Sequence, residues 1–271
     1  MRTGLYVAAM QWRDARVLVT GASGGLGESF ARALAANGSD LVLAARSGDK
    51  LTALAQQLYA EHGVDIVVLV TDLSAPGAGT KLYAEASADG AVDVVVNNAG
   101  FAIHGNVADN DADELTQEVA LNVATLVDLT RAALPDMLSR RRGAIINIAS
   151  TAAFQPLRGM AVYAATKSFV LSFTQALAAE CRGSGVEILA VCPGPVSTGF
   201  FDRAGIHDRT FGKPSTPDDV VAAALASLGR RLIVIPGLRN RAFAFGSRML
   251  PRRLVVGVAG GMVQRGRHQR R

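Results

Sequence analysis

The sequence of 271 residues has few cysteines and few aromatic residues, and it has no long apolar run. Its two cysteines, Cys181 and Cys192, match neither a metal-binding nor a redox spacing. We therefore expect no disulfide, and we expect both thiols to behave as small apolar side chains in a reducing compartment. No run approaches the roughly 20 apolar residues that a membrane-spanning helix needs, and the apolar segment 5–10 is too short for a signal peptide. The expected location is the cytoplasm.

Acidic residues are absent from the C-terminal end of the chain. Residues 230–271 contain eleven arginines and no aspartate or glutamate, so the rest of the chain holds 17 of the 28 basic side chains and all 23 acidic ones. A basic tail can bind nucleic acid or anionic lipid, although a solubilising terminus is the simpler interpretation. The tail nearly lacks aromatic side chains for stacking bases, and the acidic body would repel phosphates. We expect no nucleic-acid partner.

Short apolar runs indicate the fold. They lie at residues 17–19, 40–45, 65–70, 92–96, 144–149, 186–191 and 232–235, separated by segments with helical periodicity. This alternation predicts an α/β fold with a single doubly wound (Rossmann) parallel sheet of about seven strands and helices on both faces. Gly38 and Gly63 stand where helices should end. Ligands of such sheets bind outside the carboxyl ends of the strands, so polar residues there are candidates for a site.

A glycine-rich stretch, residues 20–27, follows the first predicted strand and opens the first predicted helix. Such a turn directs free backbone N–H groups and the positive end of the helix dipole towards one point, which suits a phosphate. Gly21, Gly25 and Gly27 would let the backbone approach a pyrophosphate closely. The spacing fits neither G-x-G-x-x-G nor a Walker loop, and a tight turn without a ligand is the alternative.

Polar residues follow the next strands. Arg46 stands where an acidic residue would bind the ribose 2′-hydroxyl of NAD, and its guanidinium suits the 2′-phosphate of NADP; a solvated surface arginine is the alternative. Asp72 is placed to accept a hydrogen bond from the adenine amino group or to cap the following helix. Asn97 and Asn98 can brace neighbouring strand ends, and Gly100 lets the backbone pass close to a cofactor, unless these residues form a plain Asx turn.

Two later segments carry side chains suited to catalysis. Asn122 lies within a predicted helix, residues 111–140, although asparagine is a poor helix former, which indicates a local irregularity or a polar role. Tyr163 and Lys167 share one face of the helix after the fifth strand, which ends at Ser150. A nearby ammonium stabilises a phenolate, so we expect Lys167 to lower the pKa of Tyr163 from its ordinary value near ~10. Tyr163 would then donate and accept protons near neutral pH, although Tyr-x-x-x-Lys alone also occurs by chance.

Taken together, the motifs resemble the classical short-chain dehydrogenase/reductase family over about residues 15 to 235. Thr-Gly-x3-Gly-x-Gly, Asn-Asn-Ala-Gly, a helical asparagine, a serine at a strand end, Tyr-x-x-x-Lys and Pro-Gly after the sixth strand occur in this order. The resemblance implies a catalytic tetrad of Asn122, Ser150, Tyr163 and Lys167, in which Lys167 also binds the nicotinamide ribose and Asn122 holds a water of a proton relay. It further implies that the cofactor is bound by Gly21, Ser23, Leu26, Arg46, Asp72, Leu73, Asn98, Ala99, Pro193, Gly194, Val196 and Thr198.

The chain departs from the family pattern at two places. Many NADP-specific relatives have a second basic residue in the glycine turn where this chain has Gly24, so the preference for NADP(H) over NAD(H) depends mainly on Arg46. The Arg-rich C-terminal section looks like that of a subgroup of bacterial reductases. We predict a catalytic domain at 1–235, with a substrate lid at about 196–215, and a basic extension at 236–271.

The predicted function is reversible hydride transfer between NADP(H) and a carbonyl or alcohol on a hydrophobic small molecule, with Tyr163 as the acid and base. Phe200, Phe201, Ile206 and Phe211 indicate a lid that closes over such a substrate or merely packs against the body. A non-catalytic NADP-binding sensor or scaffold is the competing hypothesis, and the complete tetrad argues against it. We expect no metal, since His62, His104, His207 and His268 are scattered along the chain.

The expected partners follow from the resemblance and from the tail. The resemblance implies a homodimer or homotetramer that assembles through the helices bearing Asn122 and Tyr163. Residues 254–263 are apolar or small and lie between arginines, and they are too few to span a membrane. A helix over the substrate pocket or a subunit contact is favoured over weak contact with a membrane surface.

Overall fold

The predicted apolar runs form one parallel sheet of seven strands in the order β3-β2-β1-β4-β5-β6-β7. The computed structural model describes residues 12–200 and 214–249. Val19 of the first strand pairs with Leu43 on one side and with Val96 on the other. The strands are β1 (Arg16–Thr20), β2 (Asp40–Ala45), β3 (Ile66–Val70), β4 (Val94–Asn97), β5 (Gly143–Ile148), β6 (Val186–Val191) and β7 (Ile233–Val234).

Helices cover both faces of this sheet, which confirms the predicted doubly wound architecture. The first, second and seventh helices pack on one face, and the third, fifth and sixth pack on the other. Gly38 and Gly63 end the first two helices with φ of +81° and +67°, as predicted. The helices are α1 (Gly25–Ala36), α2 (Gly48–His62), α3 (Ala78–Ala86), α4 (Ala112–Val119), α5 (Leu126–Arg140), α6 (Ala161–Glu180), α7 (Pro217–Ser227) and α8 (Leu238–Met249).

The hydrophobic core lies along the middle of the sheet. Val17, Val19, Leu43 and Ile146 are completely buried, as is Phe30 of α1. Each such side chain contributes about 1.5 to 3 kcal/mol relative to an exposed position. This core fixes the strand ends on which the polar residues stand. Within residues 12–200 and 214–249, no helix has the length and apolarity needed to cross a bilayer.

The long helix predicted at 111–140 is interrupted. Asp111 caps α4 by accepting hydrogen bonds from the amides of Asp113 and Glu114. Between α4 and α5 the chain forms a π-helical turn, Ala120–Thr125, and Asn122 lies within it. π-turns inside helices are frequent at functional sites. The irregularity predicted from Asn122 is therefore present, and it turns this side chain inwards, where it is 2% exposed.

A buried polar network connects the central strands to the helices beneath them. The Asn97 side-chain amide donates to Asn147 Oδ1 at 2.8 Å and to Thr130 Oγ1 at 3.2 Å. Asn147 in turn donates to Thr174 Oγ1 at 2.9 Å. The network joins β4 and β5 to α5 and α6, and it satisfies polar groups that water does not reach.

Replacing Asn147 should destabilise the protein strongly. Asn147→Ala removes two hydrogen bonds and leaves Asn97 with an unsatisfied buried donor, so we expect a loss of about 2 to 4 kcal/mol in the free energy of unfolding. Urea titration followed by circular dichroism measures this loss. Asn106→Ala, at an exposed loop position, is the matched control and should change stability by less than about 0.5 kcal/mol. Equal stability of the two variants would show that the network contributes nothing.

Candidate active site

Two cavities open at the carboxyl ends of the central strands. The larger has a volume of about 630 Å³ and extends from the glycine-rich turn to α6. The smaller has a volume of about 320 Å³ and lies beside the segment that follows β5. Ser150, Tyr163 and Gly194 line both, so the two cavities meet at these residues.

The predicted cofactor residues line the larger cavity, with the exception of Gly27. The sheet order reverses between β1 and β4, and ligands of doubly wound sheets bind at such a point. The lining residues predicted from the sequence are Gly21, Ser23, Gly25, Leu26, Arg46, Asp72, Leu73, Asn98, Ala99, Gly100, Tyr163, Lys167, Pro193, Gly194, Val196 and Thr198.

The glycine-rich turn has the backbone geometry of a phosphate-binding loop. Gly21 and Gly25 have φ of +66° and +59°, in the left-handed region that favours glycine. A Cβ at Gly27 would collide with the carbonyl oxygen of Gly21, so Gly27 serves the turn itself. No side chain caps the start of α1, which leaves its first N–H groups available to an anion.

Asn98 and Thr20 brace the floor of this cavity, as predicted for the strand-end amides. The Asn98 side-chain amide donates to the Thr20 carbonyl oxygen at 2.9 Å. Thr20 Oγ1 accepts hydrogen bonds from the backbone amides of Asn98 and Ala99, both at 3.0 Å. These contacts join the ends of β1 and β4.

Asp72 forms an Asx turn and does not cap the following helix. Its Oδ1 accepts from the Ser74 amide at 3.0 Å and from the Ser74 hydroxyl at 2.7 Å, whereas α3 begins only at Ala78. The two hydrogen bonds, together with the charge of Arg46, hold the pKa of Asp72 below its ordinary value. Asp72 is therefore an ionised acceptor at the wall of the cavity.

Two groups beside Arg46 were missed in the sequence. Ser47 and Lys50 line the same end of the larger cavity. Ser47 precedes α2, yet its hydroxyl makes no capping hydrogen bond, and Lys50 stands in the first turn, where the helix dipole disfavours a cation. A lysine in the first turn of a helix, four residues after Arg46, is the signal in the sequence that could have identified them. Arg46, Ser47 and Lys50 together offer two positive charges and a hydroxyl group, a set that can bind a dianion.

The candidate catalytic side chains surround the junction of the cavities. Tyr163 is 6% exposed, and the Lys167 Nζ lies 5.8 Å from the centroid of its ring. Lys167 donates a hydrogen bond to the Ile148 carbonyl oxygen at 2.9 Å. Ser150 accepts one from the Ala152 amide at 3.1 Å. The Phe200 ring packs at 5.8 Å from the Tyr163 ring, whereas Phe201, Ile206 and Phe211 lie outside the described residues.

Asn122 stands behind the larger cavity and does not line it. Its Oδ1 accepts from the Phe101 amide at 3.1 Å, and its Nδ2 donates to the Phe101 carbonyl at 2.9 Å and to Thr166 Oγ1 at 3.2 Å. A Cβ at Gly100 would lie 2.7 Å from Asn122 Oδ1, which explains the glycine. Asn122 thereby fastens the loop after β4 and helix α6 to the π-turn.

The pKa of Tyr163 is shifted in the direction opposite to the sequence prediction. Burial raises the pKa of Tyr163 to about 12, the charge of Glu118 adds to this effect, and the hydrogen bond with Ser150 opposes it. Burial also lowers the pKa of Lys167 to about 8, so the ammonium on which the prediction depended is itself destabilised. Spacing along a helix gives the distance between the two groups but not their burial. Tyr163 is a phenol at neutral pH and can donate a proton.

Glu118 is a buried carboxyl group that the sequence analysis did not single out. It is 0% exposed, and among the described residues neither of its oxygens accepts a hydrogen bond of good geometry, although the Ile103 backbone amide lies close enough to act on its charge. Burial raises the pKa of Glu118 to about 7, against the opposing effects of the Ile103 backbone amide and the Lys167 ammonium. An acid four residues before Asn122, on the same helical face, is the signal that could have identified it.

The pKa of Glu118 predicts a pH-dependent stability. Because its pKa of about 7 in the folded protein exceeds the ordinary value of 4.5, the folded protein holds this proton more tightly than the unfolded chain. Ionisation of Glu118 therefore lowers the free energy of unfolding. This loss is absent below about pH 4.5, grows as the pH rises and reaches its full size above about pH 7. Glu118→Gln should be more stable relative to the natural protein at pH 8 than at pH 5, by about 1 to 3 kcal/mol.

Urea unfolding of both proteins at the two pH values measures this difference. Glu114→Gln, which changes an exposed residue of the same helix, should show a difference below about 0.5 kcal/mol. A stability difference between Glu118→Gln and the natural protein that does not vary with pH would contradict a raised pKa.

Comparison with known proteins agrees with this geometry. A family model described as short chain dehydrogenase matches residues 15–207. An uncharacterized oxidoreductase of Staphylococcus aureus (strain MRSA252) is 33% identical over 216 residues, which span 79% of this chain and 91% of the relative. A solved short-chain dehydrogenase from Sphingobium yanoikuyae in complex with NADPH is 37% identical, with a TM-score of 0.80 over 87% of this chain and 93% of that chain.

A second solved structure is the bulky-bulky ketone specific alcohol dehydrogenase from Comamonas testosteroni. It is 28% identical, with a TM-score of 0.74, and the match covers 87% of this chain and 92% of that chain. The family model spans the glycine-rich turn and the segment with Tyr163 and Lys167. The chain therefore belongs to the short-chain dehydrogenase family of NAD(P)-dependent oxidoreductases.

Proposed function

We propose that the protein reduces the carbonyl group of a hydrophobic small molecule with NADPH and oxidises the corresponding alcohol in the reverse direction. The observation that carries this proposal is the junction of the two cavities at Ser150 and Tyr163. A cofactor in the larger cavity and a substrate in the smaller one would meet at two hydroxyl groups. Hydride transfer requires this contact between the two ligands.

The hydroxyl groups at the junction would act on the carbonyl oxygen. The nicotinamide cofactor supplies or accepts the hydride when it is bound. Ser150 and Tyr163 would donate hydrogen bonds to the oxygen as negative charge develops on it, and Tyr163 would deliver the proton. A pKa of about 12 keeps Tyr163 protonated, which supports its role as the donor in the reduction. Lys167, held by the Ile148 carbonyl, would bind the cofactor ribose and stabilise the phenolate that forms.

The preference for NADP(H) is supported by the charges at the far end of the larger cavity. Arg46 and Lys50 place two cations next to the N-terminal turn of α2, where a 2′-phosphate would be stabilised by charge and by backbone N–H groups. The glycine turn has Gly24 where many NADP-specific relatives have a second basic residue. Lys50 would supply the second positive charge instead. The Sphingobium yanoikuyae relative is in complex with NADPH.

The lining of the smaller cavity supports a substrate with an apolar body. Leu157, Met160 and Phe243 line it, and its residues include Arg239, Asn240 and Phe243 of α8. Helix α8, at the start of the proposed extension at 236–271, would therefore contribute to the substrate site. Residues 254–263, for which a membrane-surface contact was considered, lie outside the described residues. A cofactor-binding sensor has no use for this second cavity, which argues against the competing hypothesis.

We also propose that the protein assembles into a homodimer or homotetramer through α4, α5 and α6. Val119, Leu138 and Phe169 of these helices are 44%, 38% and 41% exposed, although they are large and apolar. Exposed apolar side chains on neighbouring helices favour contact with a second copy.

Replacing the phenol should remove turnover without removing cofactor. Tyr163→Phe lacks the proton donor, so we expect kcat for ketone reduction to fall by about 100-fold to 10,000-fold. The dissociation constant for NADPH, measured by fluorescence titration, should stay within about threefold, since the ring is retained. Tyr59→Phe, at a position that is 63% exposed, is the control and should keep full activity. Undiminished turnover by Tyr163→Phe would remove Tyr163 from the chemistry.

Removing the cations near α2 should affect one cofactor only. Arg46→Ala and Lys50→Ala should each weaken NADPH binding by about 10-fold to 100-fold through loss of charge-assisted hydrogen bonds, and leave NADH binding nearly unchanged. Fluorescence titration with both cofactors measures the ratio. Lys81→Ala, an exposed lysine on α3 that does not line the cavity, should change neither constant. An equal loss for NADPH and NADH would contradict recognition of the 2′-phosphate.

A further inference from the structure

The smaller cavity contains polar groups that the reduction of a carbonyl does not use. Its wall is largely apolar near Leu157, Met160 and Phe243. Gln155 and Arg239 line it as well, and none of its described lining residues is acidic. Arg239 is also the one charged residue among them. A substrate that had only an apolar body would make no polar contact with either of these side chains.

Gln155 is a largely buried residue whose side chain lines the cavity. The residue is 8% exposed, and its side chain makes no hydrogen bond to any described residue, although its backbone amide bonds to the Ala152 carbonyl. The side-chain amide is not one of the fully buried, unpaired polar groups of the described residues, so it meets the cavity, and a ligand that displaces water there must replace the hydrogen bonds of this amide. Since the side chain lines the cavity, a ligand there would be its natural partner.

Arg239 is a second uncommitted donor at the same cavity. It stands in the first turn of α8, where a cation gains nothing from the helix dipole. Its neighbours are committed: Asn240 donates to the Pro236 carbonyl at 2.7 Å, and Arg241 donates to the Ile235 carbonyl at 2.9 Å. Arg239 is exposed, and its guanidinium has no ion pair or hydrogen bond with any residue in the described ranges, so none of those residues competes with a ligand for its donors.

We propose that the smaller cavity recognises a keto acid, with the carbonyl at Ser150 and Tyr163 and a carboxylate on Arg239 and Gln155. A guanidinium binds a carboxylate through two parallel hydrogen bonds, and the Gln155 amide can supply a third donor. The apolar residues of the same cavity, Leu157, Met160 and Phe243, would contact the hydrocarbon part of the substrate. A cavity of about 320 Å³ holds a medium-sized molecule. This inference rests on the proposed reductase function and adds the substrate class.

A matched series of ketones tests the inference. The probes are 4-oxo-4-phenylbutanoate, 5-oxo-5-phenylpentanoate and 6-oxo-6-phenylhexanoate, each with its methyl ester, because the series varies the span between ketone and carboxylate. NADPH oxidation gives kcat and KM for each. The natural protein should prefer at least one acid to its ester. Arg239→Gln should lower kcat/KM for that acid by about 10-fold to 100-fold, mainly by raising KM. It should change kcat/KM for the matching ester by less than about threefold.

Further variants separate recognition from general effects. Arg239→Lys should recover part of the preference, because it keeps the charge but loses the paired hydrogen bonds. Gln155→Met should lower kcat/KM for the acid by about 3-fold to 10-fold and leave kcat/KM for the ester nearly unchanged. Arg241→Gln removes the same charge from the same helix outside the cavity lining and should preserve the acid preference. Thermal unfolding checks that each variant is folded.

The possible failures are distinguishable. Equal losses for acid and ester in Arg239→Gln, or an ester preference of the natural protein at every chain length, would overturn the keto acid assignment and leave the reductase function intact. If Arg241→Gln lowered kcat/KM for the acid as much as Arg239→Gln does, the loss would be due to net charge alone. That result would also overturn the keto acid assignment. Absence of turnover on all six ketones by protein that binds NADPH would count against the proposed function, and the inference would fall with it.

Discussion

The hydrogen bonds between Asn98 and Thr20 are the constraint on which the site depends. They join the ends of β1 and β4, where the sheet order reverses and the strands diverge towards helices on opposite faces. A crevice at this point has the glycine-rich turn on one side and the loop containing Gly100 on the other. If the two strand ends moved apart, the distance between the phosphate-binding turn and the residues near Tyr163 would change, and one cofactor could no longer contact both.

Burial controls the electrostatics of the other half of the site. Tyr163, Lys167 and Glu118 are each largely removed from water. Burial raises the pKa of Tyr163 and of Glu118 and lowers the pKa of Lys167, so it favours the neutral form of each group. The three groups also interact with one another, so the proton distribution among them is a property of the set. Loss of one charge would change the protonation of the others, which makes this region sensitive to any ligand that carries a charge.

Much of the architecture could be predicted because strands buried on both faces are continuously apolar, as residues 41–45 are. The roles at strand ends were also accessible, since parallel strands present their carboxyl ends at one edge. The sign of the pKa shift of Tyr163 was not accessible, because periodicity gives its separation from Lys167 and says nothing of desolvation. Glu118 and Lys50 were missed for a related reason: each is one charged residue in a polar helix until tertiary packing sets its surroundings.

Helix α8 forms part of the smaller cavity although it follows the last strand of the sheet. Its residues Arg239, Asn240 and Phe243 join a cavity whose other lining residues come from the segments after β5 and β6. The wall of this cavity is therefore discontinuous in sequence. A substitution in α8 can reshape the smaller cavity without changing any residue that lines the larger one.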